Sequence, residues 1–110
     1  MEVTFKNRSH DLCGGECYYY DVNFSHFPIT IAEALKEIDD WRDTNGEPRG
    51  GFGHAYGTYV NGEIVESTWV EPNWRHRYLG SGNELVNCVE AYGGWCCGVN
   101  INLKTNGFLP

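Results

Sequence analysis

The apolar positions of the chain follow two periods, and the change from one to the other outlines the fold. Met1, Val3 and Phe5 alternate with Glu2, Thr4 and Lys6, the period of two expected of a strand that buries one face. Beyond a polar stretch ending in Gly14-Gly15, Tyr18, Tyr20, Val22 and Phe24 alternate with Cys17, Tyr19, Asp21 and Asn23. This predicts a second strand, antiparallel to the first, with Tyr18 and Tyr20 in the core and Tyr19 facing out.

The period then lengthens. Ile31, Ala34, Leu35, Ile38 and Trp41 stand at i, i+3, i+4, i+7 and i+10, one apolar stripe on an amphipathic helix over residues 31–43. Thr30 and Glu33 form a capping box at its start, and Asn45-Gly46 and Pro48 stop it. The opposite face carries Glu33, Glu37, Asp40 and Asp43, extended by Asp39 and Glu47 and relieved mainly by Lys36 and Arg42.

After the helix, Asn61-Gly62 separates two strand-like runs, 55–60 and 63–70. A two-residue turn with positive φ at both positions puts Val60 opposite Glu63, which sets His54 on the same face as Trp69. A loop over 71–82 then carries Trp74, Arg75, His76 and Arg77. About residues 82–92 the pattern reads two ways. Ser81 and Glu84 resemble a second capping box, with Leu85, Val89 and Tyr92 on one helical face and Gly93-Gly94 as terminator. As a strand, Gly93-Gly94 is the hairpin turn, and Val86, Cys88 and Tyr92 share a face with Trp95, Cys97, Val99 and Ile101. Either way Trp95 to Leu103 alternates as a last strand. The expected fold is α+β: one domain over 1–110, an antiparallel sheet of about five strands packed on one helix.

Composition narrows the function. Fifteen Asp and Glu against eight Lys and Arg give a net charge of −7, which repels phosphate backbones and anionic lipid and favours a basic partner. Direct nucleic-acid binding is therefore not expected. No basic n-region followed by an apolar h-region opens the chain, and no run of about eighteen apolar residues occurs. The expectation is a protein outside the membrane and in the cytoplasm, with its five cysteines reduced and not needed for folding.

Several residues could carry chemistry. His10, Cys13 and Cys17 are the residue types of a zinc site, but neighbouring Cys96 and Cys97 alternate on a strand, so at most one could complete it. Free thiols packing as small hydrophobes are the plainer reading, with no cofactor required. His54 follows a glycine-rich run, Arg49-Gly50-Gly51-Phe52-Gly53, that lacks a phosphate-loop lysine and a following helix. No cysteine sits in a catalytic signature. Trp74, Arg75 and Arg77 form the one basic, aromatic cluster and are hot-spot residue types. These patterns favour a non-enzymatic interaction protein that blocks or regulates a protein or nucleoprotein partner with a basic surface. The contact residues would be Glu33, Glu37, Asp40 and Asp43, with Trp74, Arg75 and Arg77 as a second surface. Small acidic inhibitors of nucleic-acid-handling host-defence machinery, as encoded by mobile elements, have this size and charge. The alternative is a small-ligand binder, or a thiol- or metal-dependent enzyme using His54 and the cysteines.

Overall fold

A computed structural model describes residues 1–10, 16–45, 57–67, 78–93 and 99–105. The elements run β1 (Glu2–His10), β2 (Glu16–Asn23), α1 (Ile31–Asn45), β3 (Gly57–Val60), β4 (Glu63–Ser67), β5 (Cys88–Gly93) and β6 (Asn100–Lys104). The strands form one sheet in the order β1-β2-β5-β6-β3-β4. The fold is thus α+β as expected, but among the described residues the sheet has six strands and is mixed. β3 runs parallel to β6, with Gly57 opposite Asn100 and Val60 opposite Leu103, while the other pairings are antiparallel. The parallel pair arises because the chain returns through β5 and sets its last described strand against β3.

Helix α1 forms where the stripe places it. Ile31, Ala34 and Ile38 are fully buried, and they meet Val60, Ala91, Ile101 and Leu103 on one sheet face. The capping box closes in both directions: Glu33 N donates to Thr30 Oγ1 at 3.2 Å, and Thr30 N donates to Glu33 Oε1 at 3.0 Å. The remaining free amides of the first turn find carbonyls in the 82–86 segment, Ile31 N donating to Glu84 O at 2.9 Å and Ala32 N to Gly82 O at 3.0 Å. A helix start that would otherwise leave donors open is thereby satisfied.

That clasp decides the ambiguous segment. Ser81 Oγ donates to Glu84 Oε2 at 3.0 Å, but the backbone donors to this pair are Gly82 N, 2.9 Å from Glu84 Oε1, and Asn83 N, 3.2 Å from Ser81 Oγ, which is a local turn and not the reciprocal bonding of a capping box. No helix follows, because the Gly82 and Glu84 carbonyls serve α1 and Val86 N donates to Ile29 O at 3.0 Å. Gly82 sits at φ 85°, and a Cβ there would meet the Ala32 Cβ at 3.0 Å, so this close approach requires glycine. Residues 88–93 are strand β5, correcting the helical alternative for 82–92. The tight turn at Gly93-Gly94 is also corrected, since Tyr92 pairs with Asn100 and Ala91 with Ile101. Ala91 and half-buried Val89 therefore face the helix, while Cys88, Glu90 and Tyr92 face away.

The hairpin at Asn61-Gly62 forms with φ of 51° and 84°, and Val60 opposes Glu63 as predicted. Its turn is stitched to β6, Asn61 N donating to Leu103 O at 2.8 Å and Thr105 N to Asn61 Oδ1 at 2.9 Å. His54 and Trp69 lie outside the described residues. In β1 and β2 the alternation holds but burial is shallower than expected. Tyr18 and Tyr20 are half-buried and Phe5, on the edge strand β1, is exposed.

Candidate functional site

The four carboxylates assigned to the outer helix face do lie on α1, and the structure gives them different tasks. Glu33 closes the cap and also accepts from His26, whose Nε2 is 3.0 Å from Glu33 Oε2. These bonds, led by that from the Thr30 amide, hold its carboxyl below the ordinary value of 4.5. Glu37 is half-buried and takes Ser25 N at 2.9 Å, the Ser25 hydroxyl, and the Met1 ammonium at 3.3 Å. Burial alone would raise its pKa, but the two Ser25 bonds and the ammonium outweigh burial and lower it. Asp40 is exposed and pairs with Lys36 at 2.8 Å in an i,i+4 bridge, which raises the lysine pKa chiefly through that hydrogen bond. Asp43 is exposed as well.

Glu33, Asp40 and Asp43 thus form an outward acidic ridge, while Glu37 ties the helix to the Phe24–Phe27 bend. Sequence reasoning missed Ser25 and His26 as the groups that orient two of these side chains. The available signal was two polar residues set between Phe24 and Phe27 just ahead of the cap.

Arg42, which the charge pattern sets on the solvated face, is instead buried at 3% exposure. Its Nη1 donates to Thr58 Oγ1 at 2.6 Å and lies 3.2 Å from Glu66 Oε1, and its Nη2 donates to Val99 O at 2.7 Å and Gly57 O at 3.2 Å. The position follows Ile38 by four residues and so continues the apolar stripe. Spacing signalled burial here, and charge masked it. The guanidinium joins α1 to β3, β4 and the residue just before β6 in a buried, multiply bonded ion pair.

The face of the sheet away from α1 holds a second group. Tyr19 pairs directly with Tyr92 across β2 and β5, and both are exposed. A hollow of about 430 Å³ beside them is lined by Lys6, Tyr19, Asp21, Glu90 and Tyr92 together with other residues of β2 and β5. Glu90 is held by Lys104 at 3.1 Å and by Asn102 Nδ2 at 3.2 Å, interactions that lower its pKa. Burial, then the nearby Tyr59 and Glu90, raises that of Tyr92.

Of the other candidates, Cys13, His54, Trp74, Arg75, His76, Arg77, Cys96 and Cys97 lie outside the described residues. The backbones of His10 and Cys17 occupy successive rungs of the β1–β2 ladder, paired with Glu16 and Ser9. Cys88 is an exposed free thiol. Among the described residues no group of three or more His, Cys, Asp or Glu is arranged to hold a metal ion, and no helix is long and apolar enough to cross a membrane. Comparison with models of known families, with curated proteins and with solved structures found no match.

Proposed function

We propose that the protein is a non-enzymatic interaction module that docks the outer side of α1 on a basic protein or nucleoprotein surface and so blocks or regulates it. The observation that carries this reading is the pre-oriented acidic ridge. Glu33 is fixed by its cap and His26, and two turns on, at roughly 10 Å, Asp40 and Asp43 stand exposed as i,i+3 neighbours about 5–6 Å apart. Carboxylates already held in place lose little freedom on docking, and a concentrated negative face accelerates encounter with a cationic groove. Glu37 supports the ridge from beneath. Machinery that grips nucleic acid presents a surface of this kind, and a small acidic inhibitor encoded by a mobile element is the fitting role.

The test is capture of partners from a lysate of the source organism or its host at low and moderate salt. Affinity is then measured for the wild type and for Asp40→Lys/Asp43→Lys. We expect the reversal to weaken binding about tenfold and to flatten its salt dependence. Unchanged affinity and salt slope would overturn the assignment of the ridge.

A further inference from the structure

We propose that the open face of the sheet is a dimer interface, covered by a second copy of this chain across a two-fold axis passing beside Tyr19 and Tyr92. Helix α1 covers one side of the sheet, and the other side carries no layer among the described residues. On it, Tyr19 and Tyr92 are direct cross-strand neighbours, 40% and 39% exposed, and Tyr59 lies close to Tyr92. Tyrosines supply large, rigid contact area at little entropic cost and recur at interface centres. The adjoining hollow of about 430 Å³ has room for a tyrosine side chain of a facing molecule.

Charge selects the occupant. The molecule carries a net −7, so most of its surface repels a second copy. Around the hollow the signs balance, with Lys6 and Lys104 against Asp21 and Glu90. Glu90 and Lys104 neutralise one another at 3.1 Å. Lys6, the extra residue at the β1 register shift between Phe5 and Asn7, and Asp21 line the hollow and form no ion pair or side-chain hydrogen bond with other described residues. In a two-fold contact residue i meets j and j meets i, so each Lys6 is supplied with the partner copy's Asp21, twice over. A basic macromolecule would gain only the pair to Asp21 and be repelled by Lys6, which it leaves without a counter-ion.

Such a dimer turns both α1 helices outward, on opposite sides. On the reading given above, which this consequence rests on, the assembly would present two acidic ridges and bind repeated basic sites with avidity. The dimer itself stands or falls without that reading.

Sedimentation velocity on the full chain in reducing buffer, from about 5 to about 200 μM, tests the interface. The expected result is a concentration-dependent species of twice the chain mass. Asp21→Lys should raise the dissociation constant at least about tenfold, and Lys6→Asp/Asp21→Lys should restore it to within about threefold of wild type. Tyr92→Ser provides a variant without charge change that should also weaken the dimer. Circular dichroism establishes that each variant is folded. A wild type that stays monomeric at about 200 μM, or a dimer that neither Asp21→Lys nor Tyr92→Ser weakens, would overturn the proposal.

Discussion

Lys36 and Arg42 stand on the same helix, and each meets a carboxylate, but in opposite surroundings. Lys36 lies 2.8 Å from Asp40 with side chains 76% and 63% exposed, whereas Arg42 lies 3.2 Å from Glu66 with 3% and 10%. The shorter contact is the weaker one. In water the lysine pair exchanges hydration for a bridge of similar worth and orders two long side chains to do it. The arginine has already lost its water, and Thr58, Gly57 O and Val99 O share with Glu66 the work of replacing it. Distance therefore ranks these contacts wrongly, while burial and the number of bonds made rank them correctly. The same helix is locked on one side and free to meet a partner on the other.

The contrast yields graded expectations. Arg42→Met should cost about 3–5 kcal/mol of unfolding free energy in urea titrations, since it leaves Glu66 buried without its counter-ion. Arg42→Met/Glu66→Leu should lose less than the single change, because no uncompensated charge remains. A single variant of wild-type stability would remove the distinction between the two sides. Thr30→Ala should cost about 1 kcal/mol by opening the cap. A shallower dependence concerns pH. Glu33 and Glu37 have lowered folded pKa values, so the stability they contribute is present above the ordinary carboxyl value and is lost as pH falls through the folded values. Acid unfolding followed by fluorescence should steepen below about pH 4.5, and Ser25→Ala should move the Glu37 contribution back toward its ordinary range. The smallest effect belongs to Lys36→Ala, whose thermal midpoint should match the wild type at low and high salt alike.

How far the chain announces its own structure is clearest in its two matching signatures. Thr30 to Glu33 and Ser81 to Glu84 both read as helix starts, but the reciprocal backbone bonds close only between Thr30 and Glu33, while Glu84 and Ser81 accept instead from Gly82 N and Asn83 N. Only the first precedes a deep stripe of Ile31, Ala34 and Ile38. The second spends its carbonyls on the first helix, a long-range demand that no local window contains. The same limit explains β6. Its alternation is legible, but its parallel partner is set by where the chain returns, and so is the face on which Cys88 and Tyr92 emerge. For the candidate site, Glu33, Asp40 and Asp43 were readable from helical spacing. Arg42 was not, because a charged residue on an apolar stripe is buried only when distant groups can satisfy it. The tyrosine face was half legible: Tyr19 was assigned outward by alternation, while Tyr92 needed the true β5–β6 register.

The position of β6 also governs how the chain can acquire its structure. This strand bridges β5 and β3, and its end is joined to the Asn61 turn by bonds between residues 44 apart in sequence. Before it arrives, the β3–β4 hairpin and the β1–β2 ribbon have no strand connecting them, and Ile101 and Leu103 are missing from beneath the helix. Closing such distant contacts is the slow part of folding a small domain. Local turns and the cap can form early, but the core must wait for residues 100–104 to leave the ribosome. Until then Val60, Val65 and the inner stripe of α1 stand open, which makes the nascent chain, more than the finished protein, the form that aggregation threatens.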